Sequence, residues 1–139
     1  MKKLLLILTF LIISCGDNDD SDALSIEGRW NLSSIEINGW FESDSCYLMD
    51  YIVITGIGSG VEYSYGYDLL SNLCQLDDTY DVSYSKNPNL SNTFSFTITY
   101  GANDDYITGE ALVNENTLVF VGSYPFEQDE VYEIIYTRE

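Results

Sequence analysis

The chain has 139 residues, and its 23 acidic residues outnumber the five basic ones to give a formal net charge of −18 at pH 7. Nucleic acid is excluded as a partner, because phosphate backbones are bound by clustered lysine and arginine. The chain contains no histidine, so Ser-His-Asp and Cys-His catalysis is excluded and zinc loses its commonest ligand. With no catalytic, cofactor or metal residues marked, we expect a binding protein and not an enzyme.

The first 14 residues are typical of a secretory signal. Lys2 and Lys3 precede an apolar run over residues 4–13, about half of the roughly 20 residues that a membrane-spanning helix needs. At the end of this run, residues 12–15 read Ile-Ile-Ser-Cys, which resembles the bacterial lipobox. This resemblance implies cleavage before Cys15 and a lipid anchor on that residue in the outer membrane of the cell envelope. The alternative is an ordinary signal peptide with an incidental cysteine.

Residues 15–25 are predicted to form a solvated acidic tether. Four aspartates fall among the seven residues 16–22, and a segment so polar does not collapse into a core. Such a cluster after the cysteine resembles the signal that sends lipoproteins of one group of Gram-negative bacteria to the outer cell face. Surface display is therefore one expectation, and a plain linker is the other. After cleavage only Arg29, Lys86 and Arg138 remain against 23 acids, a formal charge of −20.

Residues 26–139 are predicted to form one all-β domain, because apolar and polar residues alternate with a period of two. The first strand changes phase at Ser33-Ser34, which indicates a bulge, and Asn38-Gly39 is typical of a turn. The predicted strands are 28–37, 51–57, 61–67, 80–84, 93–100, 107–113, 117–124 and 131–138. About eight strands with short turns predict either an up-and-down antiparallel barrel or a β-sandwich.

The sequence Gly28-Arg29-Trp30 at the start of the first strand resembles the lipocalin superfamily, in which this tryptophan closes one end of an eight-stranded cup. The chain is similar to short bacterial lipocalin-like lipoproteins, which also have a lipobox, an acidic tether, two cysteines in the first half and a Tyr-x-Arg ending. Here that ending is Tyr136-Thr137-Arg138. The resemblance implies an up-and-down barrel that binds a small apolar ligand. A β-sandwich with Trp30 in its core is the alternative.

Cys46 and Cys74 are predicted to form a disulfide. Lipidation would consume Cys15, which leaves an even pair of cysteines in an oxidising compartment. The alternative is two buried free thiols.

The candidate ligand-binding residues are aromatic side chains at alternating strand positions, where they would form the wall of a cup. They are Trp30, Tyr63, Tyr65, Tyr67, Phe94, Phe96 and Tyr100. The same residues would also suit a packed core. In that case the barrel is filled, and the protein is an envelope interaction module that docks a protein or a glycan through a loop or its outer face.

Adjacent acids such as Asp77-Asp78 and Asp104-Asp105 are interpreted as solvated residues at strand ends and turns. The alternative function for such acidic clusters is to bind Ca²⁺, whose preferred ligands are carboxylate oxygens.

Overall fold

A computed structural model of the protein describes residues 24–42, 46–100, 105–126 and 129–139. The predicted signal segment, Cys15 and most of the tether lie outside the described residues. Within these ranges the chain forms nine β-strands and one turn of 3-10 helix, Tyr47–Met49. The strands are β1 (Gly28–Ile37), β2 (Trp40–Phe41), β3 (Tyr51–Thr55), β4 (Ser59–Asp68), β5 (Leu73–Lys86), β6 (Thr93–Tyr100), β7 (Asp105–Val113), β8 (Thr117–Ser123) and β9 (Val131–Arg138).

Eight of these strands close into an antiparallel barrel. From β3 to β9 each strand pairs with the next, while β1 pairs with β3 on one side and with β9 on the other. β2 adds a two-residue pairing at the end of β1. The pairing of β1 with β9 closes the sheet, as full barrels do. The predicted up-and-down barrel is confirmed, and the β-sandwich alternative is wrong.

The local features predicted for β1 are also found. The pairing of β1 with β9 shifts register between Leu32 and Ser34, which is the expected bulge. Asn38 and Gly39 have φ values of 52° and 81°, which suit the two-residue turn that leads from β1 to β2. Several strand limits differ from the prediction by one or two residues, and the start of β5 differs by seven. β3 stops at Thr55, because the chain turns through Gly58 at φ 73°, and β5 begins at Leu73 instead of Tyr80.

The hydrophobic core fills the barrel interior from one end, called here the Trp30 end. Trp30 is fully buried, and its Nε1 donates a 2.8 Å hydrogen bond to the Ile26 carbonyl of the segment that precedes β1. The Arg138 guanidinium lies 4.4 Å from the Trp30 ring centroid. The other buried core members are Leu32, Ile52, Ile54, Val82, Phe94, Phe96, Ile98, Ile107, Ala111, Val113, Leu118, Phe120, Ile134 and Tyr136. This end of the barrel is therefore packed with side chains.

The opposite end, where β6 ends at Tyr100 and β7 begins at Asp105, is called here the mouth end. β5 pairs with β6 only from Asp81 onward, so the first part of β5 continues past β6 as a two-stranded extension with β4. A disulfide joins Cys46 to Cys74 and ties this extension to the segment before the 3-10 helix. The predicted disulfide is confirmed.

Candidate functional site

The sheet register decides which side of β4 faces the interior. Glu62 lies opposite Ile52, and Tyr63 lies opposite Tyr51. Directly opposed residues point to the same side of a sheet, and Ile52 is fully buried in the core. Glu62 therefore points inward and Tyr63 points outward.

The three tyrosines predicted as a cup wall belong to the outer surface. The Tyr63 ring stacks on the Tyr51 ring with 4.6 Å between centroids, and the Tyr65 ring lies 6.4 Å from the Tyr51 ring. The Tyr67 side chain is half exposed. The Arg29 guanidinium covers the Tyr51 ring at 3.7 Å. The expectation that Tyr63, Tyr65 and Tyr67 face the interior is wrong, because the even-numbered side of β4, which carries Glu62, faces the core.

The other predicted ligand-binding residues do lie inside the barrel, at two different depths. Trp30, Phe94 and Phe96 are buried members of the core, and the Phe96 ring lies 5.3 Å from the Phe120 ring. These three side chains are packed on all sides, as in the core alternative. Tyr100 is only partly buried and packs against the core from the mouth end. Tyr100 lines a cavity at that end, and among the other predicted residues Tyr67 lines a depression on the outer surface.

Tyr100 belongs to a group of four tyrosines above the core, called here the tyrosine layer. Its ring lies 4.6 Å from the Tyr80 ring in an edge-on arrangement and 6.5 Å from the Tyr124 ring. The Tyr124 ring in turn lies 5.6 Å from the Tyr132 ring. Tyr80 comes from β5, Tyr100 from β6 and Tyr132 from β9, and Tyr124 directly follows β8. The alternation of β5 places Tyr80 on the same face as the buried Val82, but only the closed barrel brings the four rings together.

The carboxyl group of Glu62 lies beneath this layer. The Tyr136 hydroxyl donates a 2.9 Å hydrogen bond to Glu62 Oε1, whereas Glu62 Oε2 is buried with no hydrogen-bond partner among the described residues. Burial raises the pKa of Glu62 from 4.5 to about 7; the Tyr136 hydrogen bond lowers it, and the nearby Asp50 charge raises it. Buried polar atoms without a partner are rare, and among the described residues Arg138 Nε at the Trp30 end is in the same state.

Asp50 is the second buried acid and has a structural role. Its backbone oxygen accepts a 2.8 Å hydrogen bond from the Leu32 amide of β1. Its carboxylate accepts a 2.7 Å hydrogen bond from the Tyr65 amide and a 3.4 Å one from the Ser64 hydroxyl, both on β4. Asp50 thus connects β1 to β4 beyond the start of β3. Neither Asp50 nor Glu62 was predicted as a site residue, since either acid could equally have faced solvent.

A cavity of about 400 Å³ opens at the mouth end. It is lined by Tyr100 and Tyr124 of the tyrosine layer and by Asp105 and Phe126 at the rim. A larger depression of about 590 Å³ lies along the β4–β5 extension, between residues 66 and 77. Most of its lining side chains are solvent-exposed. The mouth cavity is the better candidate site, because it is continuous with the buried aromatic layer.

Charge is distributed unevenly along the barrel axis. The three basic residues that follow position 15 all lie near the Trp30 end: Arg29 at the start of β1, Lys86 at the end of β5 and Arg138 at the end of β9. The mouth end carries Asp105 in its cavity and Glu62 beneath it. A cavity whose surroundings have one sign of charge attracts ligands of the opposite sign.

The described ranges contain no group of three or more acidic or cysteine side chains placed to hold a metal ion. They also contain no helix that is long and apolar enough to cross a membrane.

Comparisons with known proteins address the fold alone. No protein family model matches the chain, and no curated protein sequence matches it. Among solved structures, the chain is similar to a redesigned beta barrel, with a TM-score of 0.51 and 12% sequence identity over 85% of this chain and 93% of that chain. At this identity the likeness supports the closed eight-stranded barrel, and the function has to be argued from the site.

Proposed function

We propose that this protein is a lipid-anchored protein of the outer membrane whose barrel binds a small apolar or aromatic ligand at its mouth end. The supporting observation is the division of the interior into a packed apolar core and a partly open tyrosine layer. A barrel of eight strands has room for its own side chains or for one small ligand. The core occupies the Trp30 end, so the ligand binds in the cavity of about 400 Å³ next to Tyr100 and Tyr124.

The direction of the chain supports the anchored arrangement. Ile26 packs under Trp30, and the Ser25 carbonyl accepts a hydrogen bond from the Arg138 guanidinium. The chain therefore reaches the barrel at the end opposite the mouth. A lipid on Cys15 would hold the Trp30 end near the membrane and leave the mouth open to the surroundings.

Fractionation of cells that carry Cys15→Ala tests the anchor. The variant is expected in the soluble fraction, because each buried acyl CH₂ contributes about 0.8 kcal/mol to membrane binding. Wild-type protein should incorporate a fatty-acid analogue, and Cys46→Ser is the control that should still incorporate it. Wild-type protein that takes up no label would overturn the lipobox interpretation.

Titration with naphthylmethanol, a neutral aromatic alcohol, tests the cavity. Wild-type protein is expected to bind one equivalent, and Tyr124→Ala should bind it several times more weakly. Tyr67→Ala is the matched control, because it removes a tyrosine from the outer surface. No saturable binding by wild-type protein, or equal weakening by both variants, would count against a ligand site at the mouth.

A second candidate function rests on the exposed apolar side chains of the mouth end. Trp40 is 81% exposed, Phe41 is 71% exposed and Phe126 is 93% exposed. Exposed aromatic side chains of this kind are typical of protein–protein contacts. A photo-crosslinker at position 40 in intact cells should then trap one defined partner, and a crosslinker at Glu110 on the outer wall should not. Trapping of the same species from both positions would reject this function.

A further inference from the structure

Glu62 gives the interior a charge that the barrel does not neutralise. We propose, resting on the ligand site proposed above, that the ligand is a small organic cation, a protonated amine with an aromatic or apolar body. Its ammonium group would lie against the ring of Tyr100, and the Glu62 carboxylate would supply the opposite charge. The apolar body would occupy the mouth cavity beside Tyr124.

The unsatisfied oxygen of Glu62 favours a ligand that donates hydrogen bonds. Glu62 is only 6% exposed, and its Oε2 atom has no hydrogen-bond partner within the described ranges. Buried polar atoms are nearly always paired, because an unpaired one loses its hydration without compensation. An ammonium group offers three donors and a positive charge, so it would supply both a hydrogen bond and an opposite charge to the carboxylate.

Aromatic rings lie above the carboxyl group of Glu62. Tyr80 pairs directly with Glu62 across the β4–β5 ladder, and its ring lies 4.6 Å from the ring of Tyr100. Tyr100 also lines the mouth cavity. An aromatic face attracts a cation through its quadrupole, and desolvation strengthens this attraction. The Tyr100 ring therefore belongs both to the lining of the cavity and to the group of rings next to Glu62, a setting that favours positive charge.

Among the described residues, no basic side chain lies beside Glu62 as a counter-charge. The sequence from residue 15 onward has three basic residues, and all three lie near the Trp30 end. Asp50 adds a second negative charge near Glu62 instead of a positive one. An incoming cation would relieve this repulsion, whereas an anion would increase it.

The pH dependence of cation binding follows from the titratable groups that face Glu62. These are Tyr80 on β5, Tyr100 on β6, Tyr136 on β9 and Asp50 before β3. The pKa values of the three phenols are raised, by burial first and then by nearby negative charge, so these groups stay neutral near pH 7. Ionisation of Glu62 should therefore strengthen cation binding as the pH rises through about 7.

A matched pair of probes tests the proposal: naphthylmethylamine, which is protonated, and naphthylmethanol, its neutral counterpart. At pH 8 and about 0.15 M salt, where distant surface charges are screened, wild-type protein should bind the amine about tenfold more tightly than the alcohol. The ratio should fall at about pH 5.5. In Glu62→Gln the ratio should be severalfold lower at pH 8 and should no longer differ between the two pH values, while alcohol binding persists.

Glu133→Gln is the control for net charge, because it removes one exposed acid from the outer face of β9. It should keep the wild-type preference for the amine. Equal affinity of wild-type protein for amine and alcohol would overturn the cation proposal and leave the ligand site standing. Failure of both probes to bind would reject the ligand site as well. An amine preference that Glu62→Gln keeps, or that Glu133→Gln loses equally, would also overturn the cation proposal.

Tyr100 provides a second test that leaves Glu62 in place. Tyr100→Phe keeps the aromatic face and should keep the amine preference, whereas Tyr100→Leu should reduce it severalfold. Equal preferences in the two variants, both shown to be folded by circular dichroism, would exclude a contact between the cation and this ring.

Discussion

The Tyr136 hydroxyl donates a 2.9 Å hydrogen bond to Glu62 Oε1 across the inside of the barrel. Tyr136 is on β9 and Glu62 is on β4, two strands that are not neighbours in the sheet. The bond therefore spans the interior and fixes the position of a carboxyl group between the apolar core and the tyrosine layer. It also makes the stability of the barrel depend on the protonation of one acid.

Replacement of Tyr136 by Phe removes the only hydrogen-bond donor that Glu62 has among the described residues, while the ring remains. At pH 8 we expect the free energy of unfolding, measured with urea, to be about 1.5–3 kcal/mol lower than that of wild type. This is the usual range for a hydrogen bond to a charged group. At pH 5, where Glu62 is protonated, the loss should be about 1 kcal/mol. The pKa of Glu62 should rise further, because the Tyr136 hydrogen bond lowers it.

A double-mutant cycle with Glu62→Gln isolates this interaction. The two changes should be strongly non-additive at pH 8 and nearly additive at pH 5. Because the amide side chain in Glu62→Gln would still accept the Tyr136 hydrogen bond, additive effects at both pH values would mean that ionisation of Glu62 does not strengthen this bond.

Replacement of Glu62 by Gln should change how stability depends on pH. The pKa of Glu62 is about 7 in the folded protein, compared with 4.5 for a glutamate in the unfolded chain. Between these values the unfolded chain loses the proton while the folded protein keeps it, so wild-type stability falls as the pH rises from 4.5 to about 7. The loss is about 3 kcal/mol, at 1.36 kcal/mol per pKa unit.

Glu62→Gln lacks the titrating group, so its unfolding free energy should not show this loss. Relative to wild type, the variant should therefore gain about 3 kcal/mol of stability between about pH 4 and 8. Chemical denaturation at a series of pH values measures it. Glu133→Gln, an exposed acid, should show a difference that hardly varies with pH. A constant difference for Glu62→Gln would contradict the raised pKa.

Much of the fold could be predicted because local sequence determines it. The alternating residues of β1, β6 and β9 set both the strands and their inward faces, and Asn38-Gly39 determines its own turn through positive φ values. The phase of β4 could not be predicted in this way. Its odd positions carry Val61, Tyr63 and Tyr65, so hydrophobicity alone favours burying that face.

The outcome at β4 depends on pairing with β3, where Ile52 and Ile54 face the core and bring Glu62 and Gly60 to the same side. At Gly60 a side chain would meet the Val53 carbonyl oxygen at 2.7 Å, so glycine is needed there. The candidate site was only partly predictable for the same reason. Tyr100 was identified on its own strand, but its contacts with Tyr80 and Tyr124 and its relation to Glu62 arise only when the barrel closes.

Loss of the Cys46–Cys74 disulfide should destabilise the protein by about 3.5 kcal/mol, the chain-entropy value for a sequence separation of 28 residues. The double variant Cys46→Ser with Cys74→Ser should accordingly lose several degrees in Tm. Reduction of wild-type protein should give a similar loss, and reduction of the variant should have no further effect. A variant as stable as wild type would mean that the tie between the β4–β5 extension and the 3-10 helix contributes nothing.

The inverted phase of β4 can be tested with a pair of aromatic truncations. Phe96→Ala removes a fully buried ring of the core and should cost about 3–5 kcal/mol. Tyr63→Ala removes a ring that stacks on Tyr51 at the outer surface, where a pair contributes about 0.5–1.5 kcal/mol beyond its buried area. The Tyr63 variant should therefore lose far less stability, and its urea transition should stay cooperative. Equal losses for the two variants would mean that Tyr63 lies in the core after all, with Glu62 facing solvent, and the cation site proposed beneath Tyr100 would then lack its carboxylate.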